Sequence, residues 1–469
     1  MKQMGKRFLA LLLAGLLVAA PALADVYYEV FVRAFADSDG DGIGDLPGLQ
    51  AKLPYLTDLG VEGLWLMPIY PSPSYHGYDV TDYRAINPEY GTMEDFLALL
   101  DAAHAAGMRV LIDLPINHSS NEHPWFTEKP DWYVWADDDA NLNLKVWGAN
   151  VWKRRGTGMY YAIFWDGMPD MNFNNPEVRA EMIDIGRYWL DLGVDGFRLD
   201  ATSHIYGMGE VSSRQEIALS AQWWREFHAA LTETHPDAFL LGEAWEVLDA
   251  RAEILSGLDA VVNFDVGEAI TALVKSGGSG TNYVKNLVAA YAAYEANNPD
   301  YTDAPFLTNH DQARIYNAVG SRPERAKMAA NMLLTLPGIA FMYYGEEIGM
   351  LGAKPDEEIR TPMLWGADDP METSWHASKY NGRTIPVADQ LADADSLLNH
   401  YKEWIAIRAE HPALSEGKMA IADVGNNKVA AYTLTAEEET LLVLHNFTKN
   451  PQETTEGILE PYTTTLIPR

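Results

Sequence analysis

The segment Val194-Asp-Gly-Phe-Arg-Leu-Asp-Ala201 decides how this sequence folds. Its apolar run, Val194–Leu199, has the length of a buried strand and stops at an acid, Asp200. Side chains on a strand alternate with a period of two, so Arg198 and Asp200 share one side, where the guanidinium would hold the carboxylate ionised. Seven further runs of the same kind lie outward from this one: Val26–Val32, Val61–Met67, Met108–Leu114, Phe239–Gly242, Ala260–Phe264, Pro305–Thr308 and Ile339–Tyr343. Between them, apolar residues recur three and four apart at Met93–Ala106, Val178–Leu192, Arg214–Thr234, Tyr283–Glu295 and Pro323–Leu336, which predicts helices. Eight strands with intervening helices over roughly 370 residues predict an α/β fold, a (β/α)8 TIM barrel. A doubly wound sheet has fewer strands and usually a Gly-rich turn after the first. Here the first strand leads into Asp37-Ser-Asp-Gly-Asp-Gly-Ile-Gly-Asp45.

Two regions break the barrel pattern. Between Leu114 and Pro176 the chain is rich in aromatics and poor in helical periods, and a structureless loop of that length is improbable, so residues 115–175 are read as a small inserted domain. Its tryptophans, Trp125, Trp132, Trp135, Trp147 and Trp152, are candidate sugar-stacking platforms, although packing is the expected role for most. Residues 25–114 and 176–412 then form the barrel, closed by a helix over Leu397–Glu410. Beyond it, in residues 413–469, the alternating stretches Lys428–Leu434, Thr440–Asn446 and Tyr462–Ile467 predict an antiparallel β module. Residues 1–24 have the pattern of a cleavable export signal: basic Lys2, Lys6 and Arg7, an apolar Phe8–Ala20, and Ala22-Leu23-Ala24 before the cut. The expected location is therefore secreted or periplasmic, with no membrane attachment after cleavage.

Composition removes other classes. With 48% hydrophobic and 22% charged residues the chain is globular rather than disordered. A formal charge of −33 repels a phosphate backbone, so nucleic acid is not an expected partner. The absence of cysteine excludes disulfides and thiolate chemistry.

Catalytic groups of such barrels sit at the C-terminal ends of the strands. There the sequence places Asp113-Leu-Pro-Ile-Asn117-His118, Arg198-Leu-Asp200, Glu243-Ala-Trp245 and Asn309-His310-Asp311. Carboxylates gathered in one mouth suit glycoside hydrolysis, in which one attacks the anomeric carbon and another protonates the leaving oxygen. Asp200 beside Arg198 suits the nucleophile. Glu243, beside Trp245 and other negative charges, suits the protonated acid. A metal-dependent hydrolase using His118, Asp200, Glu243, His310 and Asp311 is the competing chemistry, but no His-x-His or His-Glu-x-x-His pair is present.

These four strand-end segments, in this order, resemble glycoside hydrolase family 13, the α-amylase family, over essentially the whole chain after the signal. The resemblance implies a catalytic barrel, a small domain inserted after strand three and a C-terminal antiparallel β-sandwich domain. It implies Asp200 as nucleophile, Glu243 as acid/base and Asp311 as the third carboxylate, gripping the distorted sugar. Arg198, His118 and His310 resemble the residues around the scissile-side glucose, with Asp113 supporting them. In Ser74-Tyr-His76-Gly-Tyr78-Asp79, Tyr78 would lie under the sugar ring and His76 bond to it. Met168-Pro-Asp170-Met-Asn172 resembles a form intermediate between the oligo-1,6-glucosidase and neopullulanase types. His204 resembles a leaving-side residue, preceded here by Ser203 where many amylases carry Lys.

The loop Asp37–Asp45 places Asp37, Asp39, Asp41 and Asp45 within nine residues, with glycines that permit a tight wrap. Such a ring of oxygens, completed by the Ile43 carbonyl, suits Ca2+. It also resembles the metal loop of the oligo-1,6-glucosidase branch. By resemblance alone, Asn117, Asp170 and the His204 carbonyl imply a second metal site. The expected substrate is an α-glucan, starch or maltooligosaccharides. Ala201 after the nucleophile resembles enzymes of α-1,4 bonds, whereas Asp79 with Arg360 resembles the pair that closes the sugar pocket of α-glucosidases. The expectation is a secreted, retaining, endo-acting α-amylase. The alternatives are an exported α-glucosidase or cyclomaltodextrinase-like hydrolase and, in another class, a non-catalytic amylase-like binding protein.

Overall fold

A computed structural model of the protein describes residues 25–469; the expected export signal, residues 1–24, lies outside them. Eight parallel strands form one sheet: β1 (Val26–Val30), β2 (Gly63–Leu66), β3 (Arg109–Leu114), β4 (Gly196–Leu199), β5 (Phe239–Gly242), β6 (Ala260–Asn263), β7 (Thr302–Pro305) and β8 (Ala340–Tyr343). The order β7-β6-β5-β4-β3-β2-β1-β8 places sequence neighbours side by side, and a parallel bridge between Phe306 and Phe341 closes the barrel. Alternation sets its two faces. Tyr27, Trp65, Leu111, Leu241, Val262 and Phe341 pack inside, while Tyr28, Leu64, Val110, Phe197, Leu240 and Val261 pack outward against the helices.

The seventh strand is displaced from its predicted position, Pro305–Thr308, to Thr302–Pro305. The apolar pair Phe306-Leu307 favours the later window, whereas Asp303 interrupts the apolar run before it. In the structure Asp303 is buried and accepts the Asn263 side-chain amide from β6, at 3.0 Å, so a strand tolerates it. The first strand is also shorter than predicted, because Val32–Phe35 turns into a short helix.

Between β3 and the helix Pro176–Asp191 the chain forms two small hairpins, Lys145–Val146 with Ala149–Asn150 and Trp152–Arg155 with Gly158–Tyr161. They carry a core of their own around Val146, Val151, Trp152, Tyr161 and Ile163. Trp132 and Trp152 are buried, Trp125 stacks on Tyr83 and Trp135 on Phe126; Trp147 alone of the five stands half exposed, at 52%. At the C-terminus, Lys418–Ile421, Ala430–Thr435, Thr440–Asn446 and Thr463–Pro468 make an antiparallel sheet, with a separate hairpin at Gln452–Thr454 and Gly457–Leu459. Lys418–Ile421 went unpredicted because three of its four residues are exposed and leave no alternation to read. Among the described residues no helix is long and apolar enough to cross a membrane.

Candidate active site

The inner face of the barrel changes character one layer from its top. On alternating positions Tyr27 is followed by Glu29, Leu111 by Asp113, and Leu241 by Glu243, while Gly196 is followed by Arg198 and then Asp200. Strand register then brings these charges together, since Asp113 pairs with Arg198 across β3 and β4 and Arg198 with Leu241 across β4 and β5. Arg198 is fully buried and holds three carboxylates. Its Nη1 lies 3.0 Å from Asp113 and 2.7 Å from Asp200 Oδ1, and its Nη2 forms an ion pair with Glu243 Oε2 at 3.0 Å. Burying this charge is tolerable because it is matched several times over.

Backbone contacts fix the acid against the nucleophile. Thr202 donates both its N–H and its hydroxyl to the carbonyl of Glu243, and the Ala201 N–H donates to Glu243 Oε2 at 3.2 Å. Ala201 reaches this position with φ +51°, left-handed backbone that a β-branched residue would occupy at greater cost. His310 and Asp311, five and six residues past β7, complete the ring. The His310 ring bonds Glu29 through Nδ1 and the Tyr78 hydroxyl through Nε2 at 2.7 Å, and Tyr78 donates onward to Asp113 at 3.0 Å. Glu29, Trp65 and Thr202 are functional neighbours that sequence reasoning missed. For Glu29 the available signal was a single acid inside an apolar strand; Trp65, whose indole N–H reaches Asp113 at 3.2 Å, had none.

The charges differ in their readiness to take a proton. Burial opposes the charge on His310, but Asp311 and Glu29 raise its pKa to about 10, so it is an imidazolium at neutral pH. Burial also opposes ionisation of Asp311, yet His310 and Arg360 hold it far below the ordinary carboxylate range. Burial pushes Glu243 up to about 7; Arg198 pulls against this, and the Asp200 and Asp311 charges add to it. Trp245 has no part in this, contrary to expectation, because it turns away to stack on Phe264 at 4.3 Å and is 56% exposed. Asp200 also departs from expectation. Burial outweighs the pull of Arg198 and lifts it to about 6, so it is ionised at neutral pH without being held low.

The remaining sugar-binding candidates lie around this ring with one correction. His118 is buried beside Tyr78; burial lowers its pKa to about 3, so its ring is neutral, and its buried Nε2 has no hydrogen-bond partner among the described residues. His76 lies 3.9 Å from Asp79 and tilts against Tyr78. Among the described residues, Asp79 and Arg360 make no bridge. Asp79 accepts the Ser72 and Ser74 hydroxyls, while Arg360 donates to Asp311 at 2.8 Å and to the His310 carbonyl at 3.0 Å. Asp311 and His310 are the nearer, charge-matched partners and take the guanidinium away from Asp79. His204 packs edge-on to Phe164 at 5.9 Å.

A model of the α-amylase catalytic domain matches residues 29–417. The chain belongs to the α-amylase family. It is 42% identical over 436 residues to alpha-amylase 3 of Dictyoglomus thermophilum, a match covering 90% of this chain and 85% of that one. It is 32% identical over 464 residues to a 4-alpha-glucanotransferase of Thermotoga neapolitana, covering 94% and 99%. The crystal structure of an α-amylase from H. orenii superposes with a TM-score of 0.87 at 42% identity, covering 95% of this chain and 99% of that one. The protein is thus a glycoside hydrolase of the α-amylase family, and the buried carboxylates around Arg198 occupy the barrel mouth where that family's chemistry is expected.

The acidic loop of this α-amylase-family chain fits a hard cation in part. Asp37, Asp39 and Asp45 each offer a carboxylate oxygen, all within 4.8 Å of one another, and no Lys or Arg forms a salt bridge to the loop among the described residues. Asp41 is outside that group; its carboxylate accepts the Ile43 N–H at 2.7 Å, as Asp37 accepts the N–H groups of Gly40 and Gly42 and Asp45 that of Gly48. At the second expected metal position Asn117 donates to Asp170 at 3.1 Å, and Asp170 and His204 line one cavity of about 250 Å³.

Proposed function

We propose that this protein is a secreted, retaining α-amylase that cleaves internal α-1,4 bonds of starch and maltodextrins. The observation that carries the chemistry is the single guanidinium of Arg198 shared by Asp200 and Glu243, one ionised and one near half-protonation at neutral pH. Asp200 attacks the anomeric carbon while Glu243 gives its proton to the departing oxygen; Glu243 then takes a proton from water, which releases the sugar from Asp200 with the α configuration retained. Asp311, kept ionised, and neutral His118 accept and donate bonds to the ring hydroxyls. For internal cleavage, the support is Arg360: committed to Asp311, it does not join Asp79 to wall off the non-reducing end.

Early digestion of long amylose is expected to yield a spread of maltooligosaccharides, read by chain-length chromatography. Glucose alone at early times would point to an α-glucosidase, and products longer than a defined oligosaccharide substrate would point to a transferase. Export is supported by the signal pattern and by Asp25, whose backbone nitrogen lies 2.9 Å from Glu62 Oε2, where a freed amino terminus would gain an ion pair.

Calcium would be held by Asp37, Asp39 and Asp45, where it would neutralise crowded carboxylates and tie the loop to the barrel. Chelation is expected to lower Tm by about 5 °C, an effect of the size expected when a ligand binds only the folded state. Asp37→Ala should lower Tm similarly and make it insensitive to chelator. A wild-type Tm indifferent to chelator would remove calcium from the proposal.

A further inference from the structure

Trp147 sits where a large side chain is costly. The hairpin pairs Lys145 with Asn150 and Val146 with Ala149, leaving Trp147-Gly148 as a two-residue loop with φ +46° and +81°. Loops of this shape favour Asn-Gly, and a bulky residue at positive φ is an outlier. The ring gains little burial in return, being 52% exposed, whereas the other tryptophans singled out in the insertion are packed. It lies nearly parallel to Phe164, with centroids 5.8 Å apart and an angle of 25°, and edge-on to His204 at 5.9 Å. Phe164 in turn meets His118 at 5.2 Å. A continuous run of rings therefore leads from the buried histidine beside Tyr78 to an exposed indole above His204, four residues past Asp200.

We propose that Trp147 is the stacking platform for a glucose unit on the leaving-group side of the scissile bond. The inference rests on the α-glucan hydrolase reading above and deepens it. The apolar C–H face of a glucose ring matches an exposed indole, while its hydroxyls remain in water. The strained loop holds that indole out from the inserted domain, so that the insertion contributes to substrate choice as well as to packing.

The test compares maltohexaose with α-maltosyl fluoride, which carries no sugar on the leaving side. Trp147→Ala should lower kcat/KM on maltohexaose about tenfold, mainly through KM, and leave kcat/KM on the fluoride unchanged; Trp147→Phe should restore most of the loss. Trp147→Asn should show the same loss with an unchanged or higher Tm, because Asn suits the left-handed backbone; that separates the platform from a structural role. Trp165→Ala, which removes an exposed tryptophan of the insertion outside this run of rings, should leave both substrates unaffected. Equal losses on both substrates, no loss on maltohexaose, or the same loss in Trp165→Ala would overturn the platform. Failure of the wild type to cleave either substrate would instead overturn the hydrolase reading.

Discussion

Asp200→Asn should lower kcat on maltooligosaccharides by about 10⁴-fold or more, with Tm within a few degrees of the wild type. The substitution keeps the size of the side chain and an oxygen for Arg198 at the 2.7 Å contact, so the packing of the barrel mouth has no reason to change. What it removes is the carboxylate proposed to form the covalent bond. Arg198 retains Asp113 and Glu243 as partners, so its buried charge stays matched. A second consequence follows from the electrostatics. The Asp200 charge is one of the influences raising Glu243, and without it the Glu243 carboxyl should titrate lower. Differential scanning calorimetry and single-turnover kinetics check both parts. Undiminished turnover would take the nucleophile away from Asp200, and a collapsed Tm would mean that its role is structural.

The parts of this architecture that could be read from sequence are those governed by local periodicity. Seven of the eight barrel strands lie within their predicted runs, and the helix Leu397–Glu410 falls at its predicted bounds. Arg198 and Asp200 could be placed on one side because two residues of a strand share a face in any fold. The eighth case, β7, failed where a buried acid interrupted the pattern, since the Asn263 that satisfies Asp303 lies 40 residues away. The errors at the site have the same origin. The resemblance pairs Asp79 with Arg360, but which acid receives a guanidinium depends on distances set by loops far apart in sequence. Adjacency in sequence predicts Trp245 against Glu243, whereas Phe264, the first residue past β6, offers it a stacking partner. Glu29, whose carboxylate helps to keep His310 charged, belongs to a strand whose other residues carry no chemical signal.

Glu243→Gln should separate leaving groups by their need for a proton. On maltooligosaccharides the leaving oxygen must be protonated, and loss of a positioned general acid costs about 10²–10⁴-fold. Fluoride departs without a proton, so the first turnover on α-maltosyl fluoride should stay within about tenfold of the wild type, the cost of one altered hydrogen-bond partner. The covalent intermediate should then accumulate, because water has lost its base. Azide, which needs none, should release it as α-maltosyl azide. The pH dependence carries the same signature. In the wild type, kcat/KM on oligosaccharides should rise as the pair loses its first proton near pH 6 and fall as it loses its second near pH 7, because the nucleophile must be charged and the acid neutral. The acid limb belongs to Asp200 and should remain in Glu243→Gln when formation of the intermediate from the fluoride is followed. The alkaline limb should disappear from that step. If it persists, or if fluoride and oligosaccharide lose equal activity, the proton comes from another group, and Glu243 only balances the charge of Arg198.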